Sequence, residues 1–255
     1  MKVSVVTPVY NNERTIAHCI ESVDEQSYSN IEHIIIDGES TDNTLKIINQ
    51  SKGRVSRVIS EPDDGIYDAQ NKGLRLASGD VLVVLNSDDY FASSTVIENV
   101  VSSFEKNSVD VVYGDALFVD EFDTNKVIRY WKTGEYSWKR LKRGWEAPHP
   151  SFFVKKSIYE KYGYLNTELR ISADFELMLR FLGRYKVSSS YLNQYLASMR
   201  YGGDSNQSLS QRYKGNKECY LAWKSNGFKI GLSYSIIRLC KKVTQLKVFN
   251  FFLTI

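Results

Sequence analysis

Cysteine and proline are both scarce in this chain of 255 residues, and their scarcity excludes two classes of protein. The three cysteines, Cys19, Cys219 and Cys240, lie far apart and form no CxxC pair, so neither a disulfide framework nor a structural zinc site is supported. Only 4 prolines, with 42% hydrophobic and 25% charged residues, indicate an ordinary globular chain rather than a disordered or collagen-like one. We therefore expect a folded protein of a reducing compartment.

Long apolar runs are also missing. The N-terminal apolar run is broken at Thr7 and Pro8, before it reaches the roughly 7 to 15 residues that a signal peptide core needs. The longest later candidates, residues 230–237 and 248–255, are far shorter than the roughly 18 residues of a membrane span. We expect a cytoplasmic protein that does not cross a bilayer.

Basic residues are scarce in the first half of the chain, and acidic residues are scarce in the second half. The net charge of +3 hides 10 Lys/Arg against 22 Asp/Glu in residues 1–128, and 23 against 8 in residues 129–255. Such an asymmetry can be plain solvated surface, but it also fits two kinds of partner. The acidic first half suits a cation, and the basic second half suits an anionic molecule or surface.

Short β-branched runs alternate with helical periods in the first half, which predicts an α/β fold with a mostly parallel, doubly wound sheet and helices on both faces. The second half loses this rhythm and reads as a hairpin, short strands and helices. The predicted strands of the first half cover residues 2–7, 31–36, 54–60, 80–85 and 110–114, and its helices cover 13–26, 41–48, 66–77 and 94–104. The later elements are a hairpin within 115–147, strands at 151–154 and near 186–200, and helices at 155–162, 173–184 and from 206 onward.

Polar side chains follow the predicted strands at the points where ligands bind in open α/β sheets. Several carboxylates on one sheet edge are costly unless a cation neutralises them, so the pattern predicts Mg²⁺ or Mn²⁺ with oxygen ligands. The alternative is that these aspartates only cap the following helices. The residues are Pro8, Tyr10 and Asn11, then Asp37, then Asp63 and Asp64, then Asn86, Ser87, Asp88 and Asp89.

Glycine-rich phosphate loops are absent, since neither GxGxxG nor GxxxxGK[ST] occurs in the chain. A dinucleotide-binding fold and a P-loop are therefore excluded. A nucleotide diphosphate bound through a metal, without a glycine-rich loop, remains as the ligand.

Residues 3 to about 120 are covered almost continuously by four strings in fixed order: VSVVTPVYNNERTIAHCIESVDEQSY, IIIDGESTDNT, SEPDDGIYDAQNKGLRLASGD and VLVVLNSDDYF. These strings resemble the nucleotide-binding half of the family 2 glycosyltransferases, which are inverting enzymes with the GT-A fold. Further strings, YGDALF, HPSFFVKK and ISADFELMLRFL, resemble the bacterial branch that builds colanic-acid-type exopolysaccharides and lipopolysaccharide chains, and extend the match to about residue 200.

The resemblance implies roles for the residues at the strand ends. Pro8 and Tyr10 would border the nucleobase, and Asp37 would accept a hydrogen bond from uracil. The aspartates Asp88 and Asp89 would hold the metal that bridges the two phosphates. The nucleotide pocket would also be lined by Asp63, Asn71, Lys72, Asn86 and Ser87.

One position departs from the family pattern, which is Asp-x-Asp followed by Asp. The first position is Asn86 here, which can bond a ribose hydroxyl but carries no charge. Asp88 must then carry more of the metal affinity, with Asp89 as the second candidate ligand.

Asp174 falls where the family places its catalytic base, in the string ISADFELMLRFL. Such a base removes the proton of an acceptor hydroxyl while that oxygen attacks the anomeric carbon from the face opposite the leaving phosphate. The alternative is an N-terminal helix residue favoured by the helix dipole. Glu176 faces elsewhere on the helix and ranks below Asp174.

His149 lies between two prolines, which fix its backbone, and is a candidate contact for phosphate or acceptor as well as a structural histidine. Residues 201–205 read as a loop that closes over the donor or as an ordinary turn. His18 and His33, inside a helix and a strand, read as structural.

The C-terminal segment, residues 229–255, is basic and has no acidic residue. On a helix, an apolar face of Ile236, Leu239, Cys240, Val243 and Leu246 would oppose Arg238, Lys241, Lys242 and Gln245. That pattern is typical of a helix on anionic lipid headgroups, and equally of a helix packed on the protein with a basic solvated face.

The resemblance and these features together predict an inverting, metal-assisted hexosyl- or N-acetylhexosaminyltransferase of cell-surface polysaccharide synthesis. We expect a UDP-sugar as donor and a glycan as acceptor, and the membrane interpretation of residues 229–255 predicts a lipid-linked glycan at the inner membrane face. Nucleic acid is not an expected partner, because no DNA or RNA module pattern occurs. The rivals are a sugar-phosphate nucleotidyltransferase and a non-catalytic nucleotide-sugar-binding or glycan-binding module. The predicted divisions are 1–120 for the nucleotide sugar, 121–228 for acceptor and catalysis, and the segment 229–255.

Overall fold

A computed structural model describes residues 1–51, 53–202 and 209–231, together with Tyr234 and Arg238. Strands and helices alternate through its first half as β1 Val3–Val9, α1 Ile16–Asp24, β2 Ile31–Asp37, α2 Thr44–Gln50, β3 Val55–Ser60, α3 Ile66–Leu76, β4 Val81–Val84, β5 Tyr90–Phe91 and α4 Val96–Asn107. The second half adds β6 Val111–Val119, β7 Val127–Trp131, α5 Trp138–Leu141, β8 Phe152–Lys155, α6 Lys156–Tyr162, α7 Ala173–Met178, β9 Ser189–Arg200 and α8 Leu209–Ser225.

One sheet joins both halves, and among the described residues its strand order is β3-β2-β1-β4-β8-β6-β9-β5, with β7 paired to β6. The α/β fold class is confirmed. Parallel pairing holds for β3, β2, β1 and β4, and again for β6 with β9. β8 pairs antiparallel with β4 and β6, and β5 pairs antiparallel with β9. β7 also pairs antiparallel with β6, as expected for two strands joined by the short connection 120–126.

The predicted elements of the first half are found within a few residues, and β4 is buried along its whole length as its apolar sequence indicates. Two later elements differ from the sequence prediction. β6 runs on to Val119 because β9 pairs beside it up to Arg200. The helix that begins at Ala173 continues after Met178 as a π-helix over Leu179–Arg184.

Apolar side chains fill both faces of the sheet. One cluster lies under α4, and a larger one is covered by α3, α6, α7 and α8. Gly73 allows α3 to approach β1 closely, because a Cβ there would lie 2.3 Å from Cγ1 of Val6. This packing places the start of α3 beside the carboxyl ends of the strands.

The described part of the C-terminal segment corrects one prediction from the sequence. Arg238, predicted on a solvated basic face, is 8% exposed and pairs with Glu146 at 2.6 Å. Tyr234 is buried against Trp223, with the ring centroids 5.5 Å apart. The other residues assigned to the amphipathic helix lie outside the described residues, as do positions 203–205 of the predicted loop. Within the described residues, no helix is both long and apolar enough to span a membrane.

We expect His33 to make stability fall with acidification. Its Nε2 lies 2.9 Å from Oγ1 of Thr7 inside the sheet, and burial lowers its pKa to about 3. As pH falls below about 6.5, His33 is protonated in the unfolded chain, where its pKa is ordinary, but stays neutral in the folded chain. This difference lowers the free energy of unfolding by about 1 to 2 kcal/mol at pH 5. Urea unfolding at pH 7 and pH 5 should show a smaller loss in His33→Gln than in the parent chain. Equal losses in both would contradict this origin.

Candidate active site

The carboxyl ends of β1 and β2 and the loop after β3 meet around Gly38. A Cβ at Gly38 would lie 2.5 Å from Oδ2 of Asp63 and 3.4 Å from Cδ2 of Tyr10, so only glycine fits between these side chains. Tyr10 is 62% exposed and Pro8 is buried within β1. The structure therefore brings three predicted nucleotide contacts, Pro8, Tyr10 and Asp63, to one edge, with an exposed aromatic wall.

Asp37 is buried at the same edge, and only one of its two carboxylate oxygens accepts hydrogen bonds from the described residues. Its Oδ2 accepts hydrogen bonds from the backbone N–H of Ser40 at 3.0 Å and from Oγ of Ser60 at 2.6 Å. Its Oδ1 is buried and has no hydrogen-bond partner among the described residues. Buried carboxylate oxygens are rarely left without a donor, so Oδ1 is available to an N–H of a ligand.

Asn71 and Lys72 are engaged by the protein itself. The Asn71 side chain donates to the carbonyl of Leu165 at 2.9 Å and accepts from its N–H at 3.0 Å, which ties α3 to the loop before α7. The Lys72 ammonium donates to the carbonyl of Pro62 at 2.7 Å and pairs with Glu61 and Asp68. Asn71 is therefore a positioning residue in this structure, and Lys72 reaches a phosphate only when its ion pairs open.

A tight turn after β4 holds the predicted metal ligands, with the N–H of Asp89 donating to the carbonyl of Asn86 at 3.0 Å. Ser87 is held by the loop between β1 and α1, since its Oγ accepts from Nδ2 of Asn12 at 2.8 Å. Asn86 accepts from Nε2 of Gln70 at 3.2 Å and donates to Nε2 of His149 at 2.9 Å. Its amide thus joins the α3 side of the site to the second half of the chain.

Asp89 and His149 face each other beside this turn, with Oδ2 of Asp89 3.7 Å from Nε2 of His149. Burial lowers the pKa of His149 to about 4, so the ring is neutral and Nε2 accepts the Asn86 hydrogen bond. Burial and the neighbouring charge of Asp88 raise the pKa of Asp89 well above its usual range. Oδ2 of Asp89 is buried without a hydrogen-bond partner among the described residues, so it can accept a cation.

Arg200, at the end of β9, contacts this turn, and no motif around Arg200 predicts that contact. Its guanidinium donates to the carbonyl of Asp88 at 2.6 Å and to Nδ1 of His18 at 2.6 Å. His18 stacks on Tyr90 with the ring centroids 4.2 Å apart. His18, expected from the sequence to be structural, therefore takes part in holding the turn after β4.

We expect Arg200→Ala to weaken Mn²⁺-dependent nucleotide binding by about 10- to 100-fold, the usual cost of losing a group that orients a metal ligand. The measurement is a titration of Mn²⁺ against the protein at a fixed UDP concentration. Arg184→Ala, which removes a guanidinium at the far end of the π-helix, is the matched control. Equal Mn²⁺ affinities in the parent chain and Arg200→Ala would contradict the supporting role.

Asp174 lies half-buried in the first turn of α7, where its Oδ1 accepts from the N–H of Phe175 at 2.8 Å. The start of α3 approaches this turn, since the pKa of Tyr67 is raised by burial and by the charge of Asp174. Arg170 donates to the carbonyl of Asp64, which links the same two segments. Glu176, which ranked below Asp174 as a candidate base, is buried in an ion pair with Arg180 at 3.1 Å. Its carboxylate therefore has a structural role.

Comparison with known proteins settles the family. The family model described as "Glycosyl transferase family 2" matches residues 4–163. The chain belongs to glycosyltransferase family 2. A curated relative, the PGL/p-HBAD biosynthesis glycosyltransferase of Mycobacterium bovis, is 26% identical over 215 residues, which are 82% of this chain and 81% of the relative.

Solved structures show the same fold. The crystal structure of residues 1–349 of S. aureus TarS in complex with UDP-GlcNAc aligns with all of this chain and 76% of its own, at a TM-score of 0.69 and 17% identity. In another crystal structure of S. aureus TarS, the alignment with the present chain covers 46% of the TarS chain. The mannosyltransferase PcManGT of Pyrobaculum calidifontis, in complex with GDP-Man and Mn²⁺, aligns with 94% of this chain and 68% of its own, at a TM-score of 0.66 and 16% identity. The GT-A fold predicted from the sequence is confirmed.

The side chains of this glycosyltransferase that could ligate a metal fit a divalent cation only in part. Within the described ranges, no cluster of three or more His, Cys, Asp or Glu side chains is arranged to hold a metal. Asp88 and Asp89 are adjacent, and Oδ2 of Asp89 is buried without a hydrogen-bond partner among the described residues. Such carboxylates suit a hard cation that takes its remaining ligands from water and phosphate oxygens. The site therefore fits a metal that binds together with a nucleotide diphosphate rather than one held by the protein alone.

Proposed function

We propose that this family 2 glycosyltransferase moves a sugar from a UDP-sugar to a hydroxyl of a glycan acceptor, with inversion at the anomeric carbon and with Mg²⁺ or Mn²⁺. One observation carries the proposal: two buried carboxylate oxygens, Oδ1 of Asp37 and Oδ2 of Asp89, lack hydrogen-bond partners in the described part of the chain. Asp37 ends β2 and Asp89 follows β4, and these two strands lie on either side of β1. In this proposal, Oδ1 of Asp37 accepts a hydrogen bond from the N–H of the base, and Oδ2 of Asp89 would bind a cation at the diphosphate.

The proposed nucleotide pocket lies along the strand ends. The uracil lies between the Tyr10 ring and Pro8, with its N–H donating to Asp37, and Asp63 borders the ribose. Asn86 and Ser87 present polar groups toward the ribose and phosphates. Asp88 and Asp89 would hold the metal, which supplies stabilisation of the charge that develops on the departing diphosphate.

Asp174 acts as the general base in this proposal. Its carboxylate accepts the proton of the acceptor hydroxyl as the oxygen forms a bond to the anomeric carbon, and the bond from that carbon to the diphosphate oxygen breaks on the opposite face. The side chain is suited to this because the Phe175 N–H fixes Oδ1 and the half-buried position limits water. His149 borders the phosphates or the acceptor from the second half.

The acceptor side and the setting follow the sequence predictions. Residues 121–228 are proposed to bind the acceptor, as part of cell-surface polysaccharide synthesis at the cytoplasmic side of the membrane. Contact of residues 229–255 with anionic lipid is proposed without Arg238, because that side chain is buried in the protein.

Thermal unfolding with UDP, GDP and dTDP, each with and without Mn²⁺, tests the proposal. A ligand at about 100 times its dissociation constant adds roughly 2.7 kcal/mol to the free energy of unfolding, which such a measurement detects readily. We expect stabilisation that is selective for UDP and dependent on Mn²⁺. Stabilisation by none of the three nucleotides would overturn the donor assignment, and UDP binding without transfer to any glycan would favour the non-catalytic module.

A further inference from the structure

Glu218, on α8, binds the backbone of the segment that leads into α7. Its Oε1 accepts a hydrogen bond from the N–H of Arg170 at 3.1 Å, and its Oε2 accepts from the N–H groups of Ile171 and Ser172, both at 2.9 Å. Asp174, the proposed base, lies two positions after the last of these residues. One carboxylate therefore holds three consecutive N–H groups immediately before the turn that carries Asp174.

The start of α7 depends on α8 rather than on its own cap. Ser172 stands at the position where a serine side chain commonly caps a helix. Its side chain makes no such bond to α7, and its Oγ donates instead to the carbonyl of Gly215 on α8 at 3.0 Å. Since Glu218 binds the N–H of the same residue, α8 holds both the backbone and the side chain of Ser172.

The two segments are also in close contact. A Cβ added at Gly215 would lie 2.9 Å from Cγ2 of Ile171 and 3.5 Å from Oγ of Ser172. Glycine destabilises a helix interior relative to alanine, so its presence within α8 fits a contact that leaves no room for a side chain. Hydrogen bonds to a charged acceptor are stronger than neutral ones. The segment before α7 therefore has little freedom to move while Glu218 binds it.

The same segment contacts the donor side of the site. The Arg170 guanidinium donates a hydrogen bond to the carbonyl of Asp64, in the loop after β3. Asp63, the preceding residue, is the proposed contact for the ribose. Glu218 therefore binds a segment that joins the loop of the proposed nucleotide pocket to the turn of Asp174.

We propose that Glu218 is a positioning residue for Asp174, which it orients toward the donor without touching donor or acceptor. This deepens the proposed function and rests on it, since Asp174 is the base only in that reaction. A general base acts when its oxygen lies within about 2.6 to 3.2 Å of the group whose proton it takes. A displacement of about 1 Å can lower a rate by about 10²-fold, so loosening this segment should lower the rate of transfer and spare the affinity for the donor.

Glu218→Gln tests this role. The amide keeps the size of the side chain, but its Nε2 is a donor and leaves at least one of the three N–H groups without an acceptor. Release of UDP from UDP-glucose, UDP-galactose and their N-acetylamino derivatives, with water as the acceptor, gives kcat and KM without a defined glycan. We expect kcat to fall by about 10- to 100-fold while KM for the donor stays unchanged. An unchanged kcat would overturn the proposal.

A double variant separates positioning from a general structural effect. In the Asp174→Asn background, Glu218→Gln should cause no further loss of rate, because its effect passes through a base that is already absent. Losses that multiply in the double variant would indicate damage elsewhere in the site and overturn the proposal. Thermal stabilisation by UDP with Mn²⁺ should be the same in Glu218→Gln as in the parent chain, and a weaker stabilisation would place Glu218 in the donor pocket instead.

Exchange of backbone amide hydrogens tests the contact itself without any reaction. Peptides covering residues 170–174 should exchange faster in Glu218→Gln than in the parent chain, since their N–H groups lose a charged acceptor. Lys217→Gln, at the neighbouring exposed position of α8, is the matched control and should change neither exchange nor kcat. Equal exchange in Glu218→Gln and Lys217→Gln would contradict the role of the carboxylate.

Ser172→Ala is a milder change to the same contact and decides the matter if Glu218→Gln does not fold. It removes only the side-chain hydrogen bond to the carbonyl of Gly215. We expect kcat to fall by about 2- to 10-fold, the usual effect of one neutral hydrogen bond, with no further loss in the Asp174→Asn background. An unchanged kcat, or a further loss in that background, would overturn the proposal.

The proposed function and this inference fail separately. Loss of transfer in Asp174→Asn but not in Glu218→Gln would leave the base in place and remove only the positioning role. An unchanged rate in Asp174→Asn would remove the base and, with it, the role of Glu218. Absence of UDP release from all four UDP-sugars in the parent chain would contradict the proposed donor and this inference together.

Discussion

Asp174→Asn should lower the rate of sugar transfer by about 10²- to 10⁴-fold while the affinity for the UDP-sugar stays unchanged, the effect expected when a general base is lost. The amide keeps the size of the side chain and still accepts the hydrogen bond from the Phe175 N–H, so the first turn of α7 is preserved. It has no basic oxygen to take the proton of the acceptor hydroxyl. Product formation under donor saturation gives the rate, and UDP titration gives the affinity.

Glu168→Gln is the matched control, since it makes the same carboxylate-to-amide change at an exposed position in the loop before α7. We expect this variant to transfer sugar at the parent rate. Normal transfer by Asp174→Asn would remove Asp174 from the mechanism, and a loss of UDP affinity in that variant would show that the side chain belongs to the donor pocket instead.

Asp88→Ala should weaken UDP binding in the presence of Mn²⁺ by more than about tenfold and leave the weaker metal-free binding unchanged. Asp88 lies half-buried in the turn after β4, and the Arg200 guanidinium donates a hydrogen bond to its backbone carbonyl, which fixes the turn that carries the carboxylate. Removing a group that only orients a metal ligand typically costs about 10- to 100-fold in metal affinity, so loss of a ligand itself should cost at least as much. UDP titrations with and without Mn²⁺ measure both constants.

Glu105→Ala, at an exposed position of α4, removes one negative charge far from the turn and is the control for nonspecific loss of cation attraction. Unchanged Mn²⁺-dependent UDP affinity in Asp88→Ala would leave Asp89 as the metal-binding carboxylate. The buried, unpartnered Oδ2 of Asp89 would then be the group to substitute next.

Much of the site was predictable because its residues directly follow apolar strands. Asp37 is the last residue of β2 and Asp88 follows β4, so identifying those strands already places both carboxylates at one sheet edge. The antiparallel strand β8 was predicted as an element, but its insertion between β4 and β6 was not, since strand order depends on packing that no local pattern encodes.

The contacts that position these residues were not predictable. Arg200 reaches Asp88 and His18 across 112 and 182 positions of the chain, and nothing in its sequence neighbourhood distinguishes it from other surface arginines. Arg238 shows the converse error, because helical periodicity assigned it to a solvated face while a partner 92 positions away buries it. Periodicity reports which side chains share a face, but the fold decides what covers that face.

The position of β8 limits how this enzyme can be divided or recombined. β8 lies between β4 and β6, so a fragment ending at residue 120 would contain both flanking strands without the strand that joins them. Unpaired strand edges of that kind promote association between chains. The proposed nucleotide and acceptor regions therefore belong to one folding unit, and a chimaera with altered acceptor choice should exchange loops around an intact sheet rather than whole halves.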